Sequence, residues 1–388
     1  MKKNNAFRRA AALMAALSIT VSLAAPAFAG TYYIDYGDII ITKKDDGSQE
    51  IKQNGTIIEN DDRGEIIITT SNADKTTLES DLEGPAAEDS GFGPVVEDNY
   101  QPAAPAQPED AEEPKDADQP EGADQPESAD QPESADQPES ADRQAQPQQA
   151  APAAAAAPAR NIITVINNFA NTVLNLTLKD VKIDVSDTGD YYDGVDGKAA
   201  LSVQGDGNVE IELDGKNELK SGFNRAGLEK NTSTSTGTLT LKDDKEAGSG
   251  SLKATGGKYG AGIGGGHEGS GEIITINGGR VTATGGEKGA GIGGGFVGSG
   301  GKNITINSGT VNAAGGRAGA GIGGGSGGSG EAITINGGAV DAKGGNQGAG
   351  IGGGVSSSGE NITISGGTVT AAGGYFAAGI GGGSGGSG

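Results

Sequence analysis

Short runs in which every second residue is apolar recur along this chain, and they predict β-strands instead of helices. LNLTLKDVKIDVS (174–186), AALSVQGDGNVEIELDG (199–215) and GTLTLKDD (237–244) each set Leu, Val or Ile on one face, with Gly, Asp and Asn at the turns. Two further runs, IIIT at 39–42 and EIIITT at 65–70, lie near the N-terminus. Beyond residue 248 the pattern becomes periodic. GAGIGGG places isoleucine at Ile263, Ile292, Ile322 and Ile351, and AAGIGGG adds Ile380, with spacings of 29, 30, 29 and 29. ITIN or ITIS begins in phase at Ile274, Ile304, Ile333 and Ile362, and V-x-A at Val281, Val311, Val340 and Val369. Three strand-like runs per constant period are the signature of a coil stacked on itself. The expected fold is all-β, a parallel β-helix (β-solenoid) of stacked coils of about 29 residues.

Stacking assigns each position a role. In ITIN the two isoleucines point inward and the threonine outward. Asn277, Asn307 and Asn336 fall in one column with Ser365, where turn amides can hydrogen-bond from coil to coil. The Gly-Gly that follows supplies corners of positive φ. GIGGG carries one substantial side chain, so that wall is expected to be thin and closely approached. A valine at Gly294 should then suffer both left-handed strain and overpacking.

Composition supports a repeat fold over a conventional core: 73 Gly, no Trp and no Cys. Lys2, Lys3, Arg8 and Arg9 precede an apolar run ending in Ala27-Phe28-Ala29, the pattern of a secretory signal over 1–29. Export predicts an extracellular protein, secreted or associated with the cell surface. The apolar run is too short to span a bilayer, so no transmembrane segment is expected after its removal. The net charge of −24 is local: 71–158 holds 22 acidic and 3 basic residues, a net of −19 that leaves −5 for the rest. Neither nucleic acid nor an anionic membrane suits such a chain as partner.

The chain therefore divides into a signal peptide (1–29), an N-terminal β segment forming a coil or cap (30–70), a disordered acidic Pro/Ala-rich spacer (71–160), irregular solenoid coils (161–247) and regular Gly-rich repeats (248–388). The spacer, with its repeated ADQPES, is expected to be an insertion within the solenoid, so that NIITVI at 161–166 forms a coil adjacent to the N-terminal strands. The last residues, GGGSGGSG, stop within a repeat, which is expected of a fragment of a longer protein.

The candidate chemistry is sparse. Charges in the repeats differ from coil to coil, as solvated turn residues do, and the single His267 has no evident partner, so no catalytic set is predicted. Asp187, Asp190, Asp193 and Asp196 recur at three-residue spacing on a Gly-containing turn. Oxygen ligands on a tight turn suit calcium, and an ordinary strand exit reads the same way. Tyr191 and Tyr192 in that turn, with Tyr259, Tyr375 and Phe376 in the turn between GG and GIGGG, are candidates for stacking on sugar rings. Phe296 follows GIGGG in the next turn. The intervening Glu287-Lys288, Arg317-Ala318 and Asn346-Gln347 are expected to exclude a continuous aromatic strip.

LTLKDVKIDVS, GKAALSVQGDGNVEIELDGKNELKSG, LKATGGKYGAGIGGG and ITINGGRVTATGG together resemble a bacterial family of exported carbohydrate-binding right-handed parallel β-helix proteins, some with calcium sites. The resemblance runs from Asn161 to the C-terminus and extends, less closely, to Tyr32 to Thr70. It implies non-catalytic binding of a polysaccharide or surface glycan. The alternative is a structural stalk or adhesin scaffold whose binding or anchoring module lies elsewhere. Oligomeric state is not indicated.

Overall fold

The computed structural model describes residues 30–62, 64–71, 157–245 and 249–388; the predicted signal peptide and nearly all of the predicted spacer lie outside the described residues. The chain is a parallel β-helix with three walls, built from sheets of eleven, ten and seven strands. One coil shows the order. Ile263–Gly264 lies on a glycine wall, Gly271–Ile276 on an isoleucine wall and Arg280–Thr284 on a valine wall. The next coil repeats it with Ile292–Gly293, Gly300–Ile306 and Thr310–Ala314. Parallel pairing puts like on like: Ile263 faces Ile292, Ile274 faces Ile304, and Val281 faces Val311.

The period-two pattern fixes which side chains face in. Ile274, Ile276, Val281, Ala283 and Ile263 are fully buried, and they join one apolar core that runs from Ile34 to Ile351. Such a core has no single centre, because each coil buries its side chains against the coils on either side. The irregular coils belong to the same stack: Leu201 faces Leu228, which faces Ile263.

The N-terminal strands share these sheets. Ile39–Lys43 pairs in parallel with Ile163–Ile166, and its other edge carries the antiparallel strands Gln49–Gln53 and Thr56–Asp62. Ile66–Thr69 pairs with Val173–Lys179 and is covered by Gly30–Tyr33.

Asparagines form the expected ladder: Asn307 Nδ2 donates to Asn277 Oδ1, and Asn336 Nδ2 to Asn307 Oδ1, both at 2.8 Å. It stops there. Ser365 joins the column only through its backbone N–H, which donates to the Ile335 carbonyl at 2.8 Å. The second glycine of each GG corner takes positive φ, as at Gly279 (75°) and Gly338 (84°). The strain expected at Gly294 belongs instead to its neighbour. Gly293 has φ 127°, and a Cβ there would lie 2.1 Å from the Gly323 carbonyl oxygen. Gly294 is limited by space alone, since its Cβ would fall 2.9 Å from Gly300 Cα.

Candidate functional site

Two turns of each coil lie side by side on the surface. One follows the valine wall and the other follows the glycine wall. Each turn after a glycine wall bonds to the turn after a valine wall that lies one repeat before the one directly preceding it: Phe296 N–H donates to the Tyr259 carbonyl at 2.9 Å, and Ser326 N–H to that of Lys288 at 2.8 Å. The stacked turns meet through glycine backbones so closely that a Cβ on Gly286 would sit 1.8 Å from the Gly257 oxygen. The few residues with side chains must therefore project outward, where they meet across coils.

At one end of this surface the projecting residues are aromatic. The Tyr259 ring is central, with centroids of Phe296 at 5.0 Å, Phe223 and His267 at 5.4 Å, and Tyr191 at 6.3 Å. Tyr191 also contacts Tyr192 and Phe223, at 5.5 and 6.0 Å. His267 stacks on Phe296 with 25° between the planes. The result is a ridge from Tyr192 to Phe296 that crosses several coils, a continuity not expected from the turn column interrupted at Glu287-Lys288, Arg317-Ala318 and Asn346-Gln347. That expectation considered one turn column, and the ridge draws on both, plus the 188–196 loop. The interruption does hold further along. Tyr375 and Phe376 are exposed, stand several coils away and make no ring contact with the ridge among the described residues.

Exposure sorts the rings by what each can do. Tyr259 is 9% exposed and acts as packing beneath the others, whereas Tyr191 is 55% and Tyr192 92% exposed. Two lysines cover part of the ridge. Lys258 Nζ lies 4.8 Å from the Tyr191 centroid, and Lys288 Nζ 4.0 Å from that of Phe296, both in cation–π range. Phe223, His267, Phe296, Lys258 and Lys288 are the residues that reading along the sequence did not place here. One signal was available: His267 and Phe296 both follow GIGGG directly, which puts them in one column.

The four aspartates do not converge. Asp187 pairs with Arg160, and Asp196 accepts from Arg225 at 3.0 Å and Asn224 at 2.7 Å. Asp190 accepts from the backbone of Tyr192 at 2.6 Å, while its own N–H and carbonyl bridge to Val195. Asp193 has no side-chain partner among the described residues. These contacts hold the loop in shape. It docks where Phe223 N–H donates to the Thr188 carbonyl at 2.9 Å and Gly197 N–H to that of Phe223 at 2.8 Å, which brings Tyr191 against Phe223. Among the described residues no group of three His, Cys, Asp or Glu is arranged to hold a metal ion. Nor is any helix among them long and apolar enough to cross a membrane.

Four segments, 274–296, 304–326, 333–355 and 362–384, match the family model described as Beta helix repeat. They coincide with the regular coils, each running from the isoleucine wall through both surface turns. No curated protein and no solved structure matches the chain. A β-helix repeat domain of this kind is consistent with a scaffold or a binding protein.

Proposed function

We propose that this is an exported, non-catalytic polysaccharide-binding protein and that the ridge is its binding surface. The observation that carries this reading is the pair Tyr191–Tyr192: two exposed rings on a loop braced by ion pairs and backbone bonds. Rings held this way present flat apolar faces with little ordering cost on binding, which suits the axial C–H faces of pyranoses. Adjacent coils stand about 4.8 Å apart, so a chain lying along the ridge meets new protein groups at a spacing close to that of its own sugars. A glycan array probed with the full chain, with and without EDTA, tests the reading. Binding that falls at least tenfold in Tyr191→Ala/Tyr192→Ala supports it. The EDTA arm asks whether the loop carboxylates hold calcium.

The competing reading is a structural stalk, and it is favoured by the regular coils, whose outward residues change from one repeat to the next. Absence of glycan binding in both array conditions supports the stalk and removes the ridge as a binding surface.

A further inference from the structure

A second feature lies on the outer face of the isoleucine wall, away from the ridge. A cleft of about 470 Å³ is lined there by Glu65, Asn175, Glu210, Lys242, Asp244 and Lys245. It spans the N-terminal layer and three successive coils: Thr177 stands opposite Ile67 and Glu212, and Glu212 opposite Lys242. The cleft exists because the chain turns back over the sheet after Lys242. The N–H groups of Asp244 and Lys245 donate to Glu212 Oε1 at 2.7 and 2.9 Å, and the Lys245 ammonium reaches Glu65. Glu212 and Thr177, which point outward from their strands, are consequently only 4% and 2% exposed.

Its chemistry differs from that of the ridge. Among the described residues no aromatic one lines it, and the side chains that do end in carboxylates, ammonium groups, one amide and one hydroxyl, Leu176 excepted. Such walls hydrogen-bond a polyhydroxylated molecule and give an apolar one nothing. The charges are uneven. Lys242 Nζ stands between Glu210 at 3.1 Å and Asp244 at 3.6 Å, and Lys245 is taken by Glu65. Among the described residues Glu65, Glu210, Glu212 and Asp244 thus face two ammonium groups. Burial opposes the charge on Glu65, but hydrogen bonds from Lys245 and Thr177 hold its carboxyl below the ordinary range, so it remains an anion. At the Glu210–Asp244 end two carboxylates share one cation. The Asn175 amide, opposite Glu210 on the neighbouring strand, has no side-chain partner among the described residues.

We propose that this cleft binds an amino sugar, a polyhydroxylated ring with a free ammonium group. The ammonium completes the charge between Glu210 and Asp244, and the ring hydroxyls meet the Asn175 amide and the lysine ammonium groups. A neutral sugar leaves the excess carboxylate without a partner. A bare metal ion finds no set of three ligands among the described residues. The assignment narrows the polysaccharide reading at a second site and rests on it.

Titration calorimetry on the full chain tests this with oligomers of glucosamine, the same oligomers N-acetylated, and spermidine. Glucosamine oligomers should bind, at least tenfold more tightly than the acetylated ones and than spermidine. Glu210→Gln/Asp244→Asn and, separately, the exposed Asn175→Ala should weaken them tenfold and about threefold, with unchanged far-UV circular dichroism. The titrations are made in the Tyr191→Ala/Tyr192→Ala background, so that binding at the ridge does not enter the comparison. Equal binding of the acetylated oligomers, equal binding of spermidine, or indifference to both cleft variants overturns the proposal. If the cleft fails while Tyr192-dependent glycan binding persists, only the cleft assignment falls.

Discussion

Lys230 donates its backbone N–H to the carbonyl of Gly264 in the following coil at 2.7 Å, and at that contact the glycine wall changes character. Below it, Leu201 and Val203 are both buried; above it, Ile263 is followed by glycines. Lys230 follows Leu228 as Val203 follows Leu201, so its side chain fills the interior where the solenoid narrows. It is fully buried, and its ammonium donates to the Ser235 carbonyl at 3.2 Å. Burial pushes its pKa down to about 8, with the Glu272 carboxylate opposing.

The unfolded chain therefore holds this proton more tightly than the fold, and stability rises as pH climbs from about 8 towards the ordinary 10.5. Lys220 and Lys242, raised by carboxylate partners, withdraw their stabilisation only above the ordinary lysine value. Thermal melts across this range should show an alkaline rise in the native protein and none in Lys230→Met. At pH 7 the methionine variant should be the more stable, by about 1–3 kcal/mol, because an apolar chain of similar volume removes a buried charge. A flat native profile would remove the argument.

Two glycines separate crowding from backbone strain. Both Gly293 and Gly327 have positive φ, at 127° and 81°, but a Cβ at Gly293 meets the Gly323 oxygen whereas one at Gly327 meets nothing within 4 Å. Gly327→Ala should cost only the left-handed penalty of about 1–2 kcal/mol. Gly293→Ala adds overpacking of about 1–3 kcal/mol or more. Denaturant titration of the two variants compares them; equal midpoints would mean that the glycine wall is loosely packed.

Val297 is exposed and sits at φ 61°, where the same turn of the next coil has Gly327. A β-branched residue is poorly suited to that conformation and asparagine tolerates it. Val297→Asn should raise stability by about 1 kcal/mol, read as a higher melting temperature. No change, or a fall, would place the valine side chain in a contact that matters.

Protease cleavage between residues 72 and 156 should not release residues 30–71. Four parallel register pairs join Ile39–Lys43 to Ile163–Ile166, and four more join Ile66–Thr69 to Val173–Lys179. Size-exclusion chromatography of the nicked protein should show one species under native conditions and two in denaturant. Separation without denaturant would make the N-terminal segment an independent unit.

Fold and register were legible because parallel stacking demands the same residue at the same place in every coil. Ile263, Ile292 and Ile322 report their own contacts. The ridge was less legible because its two turns bond with an offset of one coil, so Tyr259 and Phe296 touch although they are more than one period apart. The aspartate spacing at 187–196 did not convey the contacts those side chains make, for a related reason. On a loop that makes its own tight turn, evenly spaced carboxylates face different neighbours: Arg160, the Tyr192 backbone and Arg225. Lys230 gave no sign, since a lysine beside Glu229 reads as surface until Leu228 fixes which way the strand faces.

The pairing of Ile66 with Leu176 has a consequence for the order of events during synthesis. Residues near the N-terminus leave the ribosome first, yet their strand partners in the next coil are translated only after the whole acidic stretch between them. Pairs within the opening layer, such as Ile66 with Gly30 and Ile41 with Ile51, can form at once, but the edge that faces the next coil must wait until residue 179 has followed. The later coils, whose partners lie one period away, can add themselves one by one as they emerge. Assembly of this molecule thus has a slow first step and a processive remainder, set by the distance along the chain between strands that are neighbours in space.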